Sequence, residues 1–353
     1  MFFIRFFGTF NRKLIDFLFS NLLTYQMSKM LSCHQTFFLS LIVGCFLLSA
    51  TSLMYAQGCS DAGFCTMGAL RPNQPSSTEA NLRLKSIELS YYVGQVNPKD
   101  YVTSFTIDAN IGIGKRSALQ MKLPYIVMYG ALANTQGLSD ITLSFSRALL
   151  QTQKNNTLAL TVGAKIPTNR SDKRSIDNRP LPMYYQTSLG TYDGAIGISY
   201  STSKWLLATG WQVPILHDNN NQFLWGAWNS SPDSAIAAEY PRGNQLKRGQ
   251  DIMIRIERNF RFSRFNFYIG VLPIYRITSD KITLNGVETS FKDRNNNFNS
   301  KGLALTFLYG AGYRFSVNSG IKGFLGVQNY TRDGHPDGLS REYVASIGYE
   351  YRF

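Results

Sequence analysis

The chain ends in Tyr343-Val344-Ala345-Ser346-Ile347-Gly348-Tyr349-Glu350-Tyr351-Arg352-Phe353, and this ending restricts the fold more than any other stretch. Tyr343, Ala345, Ile347, Tyr349, Tyr351 and Phe353 occupy alternate positions, while Glu342, Ser346, Gly348, Glu350 and Arg352 fall between them. A period of two is the signature of a β-strand; a helix would scatter the same polar residues around its circumference. The sorting recurs at 101–113, where Tyr101, Thr103, Phe105, Ile107, Ala109, Ile111 and Ile113 oppose Val102, Ser104, Thr106, Asp108, Asn110 and Gly112. It returns at 301–315, with Leu303, Leu305, Phe307, Tyr309, Ala311, Tyr313 and Phe315 on one face, and around Ile252, Ile254 and Ile256, set against Asp251, Met253, Arg255 and Glu257. A buried sandwich core would not accept Arg255 and Glu257 opposite an apolar face that was also covered.

Strands with one greasy face and one wet face fit a membrane barrel, in which the apolar face meets lipid and the polar face lines the interior. Strands are expected near 84–95, 101–113, 117–128, 138–150, 156–167, 186–200, 204–215, 248–260, 264–277, 301–315, 320–330 and 340–353, about twelve in all and each long enough to cross a bilayer when tilted. Connections are tight after even-numbered strands, as at Gly114-Lys115-Arg116, Ser201-Thr202-Ser203 and Arg261-Phe262-Ser263. After most odd-numbered strands they are longer, at 129–137, 168–185, 216–247, 278–300 and 331–339. The expected fold class is therefore all-β: a transmembrane antiparallel β-barrel with short periplasmic turns and long extracellular loops. A 14% aromatic content suits the aromatic girdles of such a barrel, and no segment of the expected barrel has the uninterrupted apolar run of a spanning helix.

The amino terminus reads as targeting sequence. Residues 37–50 form an apolar run preceded by Lys29, and Met54-Tyr55-Ala56 places a small residue before Gln57, the layout of a secretory signal peptide. Residues 1–56 are expected to be removed, with 1–26 an upstream extension and translation starting at Met27 or Met30. Residues 57–81, rich in Gly, Pro, Ser and Asn, form an irregular lead-in that plugs the barrel mouth or sits in the periplasm. The barrel itself is expected over 82–353. Cys59 and Cys65 flank a short loop and are expected to close it as a disulfide in an oxidising compartment, stapling the lead-in. The formal net charge of +14 is spread over turns and loops with no basic stripe. That distribution argues against a nucleic-acid partner and for attraction to lipid headgroups, lipopolysaccharide or anionic solutes.

Several short segments resemble the outer-membrane transporter family associated with phenol-degradation (meta-cleavage) pathways of Gram-negative bacteria. They are Leu123-Pro124-Tyr125, Gly137-Leu138-Ser139-Asp140, Lys165-Ile166-Pro167-Thr168, the stretch Gln186-Thr187-Ser188-Leu189-Gly190-Thr191-Tyr192-Asp193, and Gln212-Val213-Pro214. Ser139 and Asn169 stand where that family usually has glycine, and the Cys59–Cys65 lead-in has no counterpart in its pattern. The resemblance spans roughly 84–353 with order and spacing kept, although its motifs are short. It implies an outer-membrane transporter of a small solute, with no particular substrate. The aromatic Phe353 terminus likewise resembles the end presented to the barrel-assembly machinery.

On the polar register, Asp108, Lys122, Asp140, Lys165, Gln186, Asp193, Arg255, Glu257, Arg276, Arg314, Glu350 and Arg352 are candidates to face the lumen, either as an ion-pair lattice or as a selectivity ring. Leu308 and Ile274 share that register and hint at a partly apolar path. Phe223, Trp225 and Trp228 in the 216–247 loop are candidate surface aromatics for glycan or protein. A lipid-modifying enzyme would need a histidine beside a serine nucleophile. After residue 56 the histidines are His217 and His335, both in expected loops and reading as solvated. No calcium loop, zinc set or nucleotide motif appears, so no metal, cofactor or catalytic residue is expected. The expected function is passive movement of a small, hydrophobic or anionic solute. A non-transporting surface-binding or structural barrel is the alternative, and a lipid-modifying enzyme a more distant one.

Overall fold

A computed structural model of the chain describes Met67 and residues 83–97, 100–152, 156–292 and 299–353. The expected signal peptide and the Cys59–Cys65 pair lie outside the described residues. The strands are β1 (Arg83–Asn97), β2 (Asp100–Ile113), β3 (Ser117–Tyr129), β4 (Asn134–Leu138), β5 (Ile141–Gln151), β6 (Thr157–Ile166), β7 (Thr191–Ser201), β8 (Trp205–His217), β9 (Asp251–Arg261), β10 (Phe265–Arg276), β11 (Lys281–Leu284), β12 (Val287–Ser290), β13 (Gly302–Arg314), β14 (Ser319–Tyr330) and β15 (Tyr343–Arg352).

Neighbouring wall strands pair antiparallel, and β1 pairs with both β2 and β15. Ser86 lies opposite Arg352 and Gln95 opposite Tyr343, so the first strand closes the sheet along the whole of the last. Because β4 and β5 are consecutive halves of one interrupted strand, the result is a closed antiparallel barrel of twelve wall strands. Closure leaves no unpaired edge, which is the condition for β-structure in lipid.

Alternation sets the two faces. Phe105, Ile107, Ile196, Trp211, Ile254, Ile269, Ile347 and Tyr349 point outward and are exposed, whereas Ser104, Asp108, Ser144, Asp193, Arg255 and Glu350 are buried inside. Rings gather at both ends of this apolar belt. At the long-loop end stand Tyr101, Tyr129, Tyr192, Tyr275, Tyr330 and Tyr343; at the short-turn end stand Trp205, Phe262, Phe265, Tyr313, Phe315 and Phe353. Such girdles place amphipathic rings at the two interfaces of a bilayer. The Phe353 ring meets Tyr351 edge-on at 5.0 Å, and its backbone N–H donates to Lys85 O at 3.0 Å. Among the described residues no helix is long and apolar enough to cross a membrane.

Three departures from the sequence expectations matter for the interior. The strand expected at 138–150 begins earlier and is interrupted at Ser139-Asp140, where Ser139 N–H donates to Pro124 O at 2.8 Å. The interruption turns Asp140 inward. Residues 186–190, expected in a strand, instead follow a short 3-10 turn (Met183–Tyr185) and end at Gly190 with φ +62°, a left-handed conformation that suits glycine. Third, the long β10–β13 connection contains its own hairpin, β11–β12, with Lys281 opposite Ser290.

The long connections do not splay into solvent. Leu181, Tyr185, Phe223, Trp228, Ala237 and Tyr240 form one buried apolar cluster. Met183, Leu189, Leu246, Ile282, Phe291 and Leu339 form a second. Together they give the extracellular side a folded cap. Asp100 pins it: its Oδ1 accepts from Tyr185 Oη (3.1 Å) and from Ala131 N–H (3.0 Å), while its Oδ2 accepts from Tyr240 Oη.

Candidate functional site

The interior of the barrel is layered from the short-turn end to the cap. Near the short turns, Lys322 of β14 bridges Glu88 of β1 (3.2 Å) and Glu350 of β15 (3.0 Å), and Arg352 joins Glu350 at 2.6 Å. On the β2–β3 wall, Asp108 accepts from Gln120 (2.7 Å) and Asn110 (3.2 Å), with Lys122 at 3.9 Å. On β9, Arg255 pairs with Glu257, both buried. Alternation puts these groups on one face, and the barrel's curvature brings neighbouring strands within reach of a salt bridge.

Apolar clusters share the interior with these groups. Ala195, Ala208, Met253, Tyr268, Leu272 and Leu308 form one at mid-wall, where Ala208 lies opposite Arg255, and Tyr92, Val102, Ile126, Met128 and Val344 form another toward the long-loop end. Phe324 packs against both. Met67, from the lead-in that precedes the barrel, is 1% exposed inside the first cluster. A Cβ at Gly163 of β6 would lie 2.6 Å from its sulfur, so the wall is bare of side chain where Met67 touches it. A side chain of the amino-terminal segment therefore occupies the mid-wall apolar cluster.

Beneath the cap lies the densest cluster of charge among the described residues. Lys165 sits between Asp140 (3.4 Å) and Asp193 (3.1 Å). Asp193 also accepts from Gln212 and from Arg248 (3.1 Å), and Arg248 reaches Asp251 (3.4 Å) and Asp337 (3.5 Å). Arg276 binds Asp251 (2.7 Å), Asp280 (2.5 Å) and Asp337 (3.0 Å), and Arg332 chelates Asp337 through both oxygens at 3.0 Å. Burial pushes the Asp337 carboxyl up, but Arg332, Arg276 and Arg248 outweigh it and hold the group well below the carboxylate range. Burial first, and Arg332 second, push the His335 imidazole down to about 3, leaving it neutral.

The sequence candidates distribute unevenly among these layers. Asp140, Lys165, Asp193 and Arg276 meet in the cluster beneath the cap, while Asp108–Lys122, Arg255–Glu257 and Glu350–Arg352 form separate pairs. Gln186 belongs to the cap, where it accepts from Lys173 N–H at 2.7 Å and donates to Leu181 O at 3.0 Å. Arg314 is exposed at the short-turn rim. The loop aromatics are not available for glycan or protein: Phe223 and Trp228 are 0% and 2% exposed, Trp225 is half-buried, and both indoles donate to loop carbonyls. They are the core of the cap. His335, read as solvated, is buried between Thr331 and Arg332, whereas His217 ends β8 exposed. Leu308 and Ile274 do face the interior, in the first apolar cluster. Arg248, Asp251, Asp280, Arg332, Asp337 and Met67 were not foreseen as site residues. Asp251 was readable from its register on β9; the others lie in connections or in the lead-in, where no period applies.

No family model and no curated protein matches the sequence. Comparison with solved structures finds an outer-membrane channel from Pseudomonas putida F1 with a TM-score of 0.55 at 14% identity, covering 80% of this chain and 100% of that one. The NanC porin aligns more loosely, with a TM-score of 0.43 at 10% identity over 77% of this chain and 100% of that chain. At these identities the likeness establishes the fold, that of the outer-membrane β-barrels.

Proposed function

We propose that the chain is an outer-membrane channel of a Gram-negative bacterium that passively moves a small solute, one with a substantial apolar part. The observation that carries this reading is the pair of apolar clusters inside the barrel, one at mid-wall and one toward the long-loop end, bridged by Phe324 and set among ion pairs. Packed apolar side chains also stabilise a closed barrel, but here they line the interior, the side along which a partly apolar solute would pass. The named channel function of the Pseudomonas putida F1 relative and the resemblance to the phenol-degradation transporters support the same reading.

In this proposal Met67 narrows the apolar path and the cap restricts access from outside. Lipid and lipopolysaccharide surround the wall, and the barrel-assembly machinery reads the Phe353 terminus. Labelled benzoate, which joins an apolar ring to one charge, tests it in proteoliposomes. Benzoate influx above that of protein-free vesicles, and above glucose influx through the same protein, is the expected result. Benzoate influx equal to that of protein-free vesicles would overturn the transport role. The buried ion pairs and folded cap favour a closed, non-transporting barrel as the second reading, and that outcome would select it.

A further inference from the structure

The β14–β15 connection is long but not extracellular in the ordinary sense. From Arg332 to Arg341 every residue except Asp333 is buried. It runs beneath the cap: a Cβ at Gly338 (φ +70°) would lie 2.7 Å from Tyr184 N and 2.8 Å from Met183 C. One at Gly334 would lie 2.8 Å from the Phe291 ring. The connection thus crosses the mouth of the barrel; it meets the wall through Arg332 at Asp251 and Arg341 beside Gly94, and most densely through one further side chain.

That side chain is Asp337. Its carboxylate meets Arg248 of the β8–β9 connection, Arg276 at the end of β10, and Arg332 five residues earlier in its own loop. The guanidinium groups keep other partners. Arg276 retains Asp251 and Asp280, Arg248 retains Asp193 and Asp251, and Arg332 retains Asp251 at 3.9 Å. The frame therefore stands without Asp337, and a carboxylate-sized place surrounded by planar, bidentate donors is left when it withdraws. Counting Lys165, four cations face the five carboxylates Asp140, Asp193, Asp251, Asp280 and Asp337. An incoming monoanion in place of Asp337 restores the native charge balance.

We infer that Arg248, Arg276 and Arg332 form a carboxylate-binding site, that Asp337 fills it as an internal ligand which holds the β14–β15 loop across the mouth, and that a solute carboxylate takes its place when the loop withdraws. The inference rests on the channel reading for its purpose, but the site itself does not need transport to be tested. An intramolecular ligand has an effective concentration in the millimolar range, so a free carboxylate competes at comparable levels or by adding apolar contacts.

Trypsin cleavage after Arg341, quantified by mass spectrometry against cleavage after the exposed Arg174, reports the loop. Asp337→Ala is expected to raise that cleavage by about tenfold or more. Formate at tens of millimolar, which replaces the missing carboxylate, is expected to return it toward the wild-type level where chloride of equal ionic strength does not. In the unmodified protein, hexanoate is expected to raise cleavage and hexanol is not, an arm that needs no variant to fold. Formate acting no better than chloride, an Asp337→Ala loop as protected as wild type, or hexanoate matching hexanol would each overturn the inference. Benzoate influx, measured separately, reports the channel. A non-transporting protein whose loop still closes with formate keeps the site and loses its transport role, and the opposite pair of results does the reverse.

Discussion

The barrel wall and the cap above it are built on different physics. The wall is held by ladder hydrogen bonds between neighbouring strands, and one rule, apolar outside with the polar groups inside, governs its faces apart from the two interior apolar clusters. Among the described residues the cap's ladder is the β11–β12 hairpin, with isolated bridges at Arg174–Pro180 and Lys247–Lys281. It is held by two apolar clusters, the Asp100–Tyr185–Tyr240 pin and the charges beneath it. The wall is therefore repetitive and tolerant, with each strand carrying a similar share. The cap is aperiodic and depends on a few groups, so a single change there unseats several segments at once.

That contrast is broken most sharply at the seam. Arg276→Ala leaves Asp251, Asp280 and Asp337 buried without their shared cation, and is expected to destabilise the folded protein by about 3–5 kcal/mol. The urea midpoint of heat-modifiable gel mobility measures it. In the wall, Ile254→Lys puts a charge on the exposed outer face near mid-strand and is expected to cost about 2–4 kcal/mol in bilayers. The same variant should leave cleavage of the cap loops unchanged. Tyr240→Phe removes one donor from Asp100 and is expected to cost about 1–3 kcal/mol, confined to the cap. Proteolysis within 218–250 should rise while barrel unfolding stays as in wild type; a matching shift in both would show that cap and wall unfold as one unit.

The smallest effect over the neutral range is the response to pH. The His335 imidazole is held at about 3 in the folded protein against an ordinary 6.5, so below about 6.5 the unfolded chain binds a proton that the folded one does not. Cap stability is expected to fall as pH drops from about 6.5 toward about 4, before the carboxylates titrate. Hydrogen exchange of the 331–342 backbone amides, corrected for the intrinsic rate at each pH, measures this, and His335→Gln should flatten the slope.

The difference between the two regions also explains what was legible in the sequence. The wall could be read because period-two sorting is local: Phe105 beside Asp108, or Ile254 beside Arg255, announces its own orientation. Asp140, Lys165 and Asp193 were found because short motifs place them on the inward register at strand ends, and they converge as that register requires. The cap could not be read the same way. Nothing near Trp228 indicates that its indole donates to Pro180, 48 residues earlier, and loop aromatics look alike whether they cover or are covered. Asp337 meets Arg276, 61 residues away, only after the loop has turned inward, and Met67 reaches Leu308 from a segment with no period. The strand expected at 186–200 begins only at Thr191 for a related reason. Its alternation is short, and Gly190 ends the run in a conformation that a strand cannot use.

Single-channel conductance in planar bilayers tests the central claim most directly, comparing the full-length barrel with one lacking residues 57–81. The account expects small or infrequent current steps while Met67 fills the first apolar cluster, and larger, sustained steps once it is removed. A protein that shows the folded barrel's heat-modifiable mobility yet stays silent in both forms would contradict it, and would leave the interior ion pairs and apolar clusters as the filling of a closed scaffold.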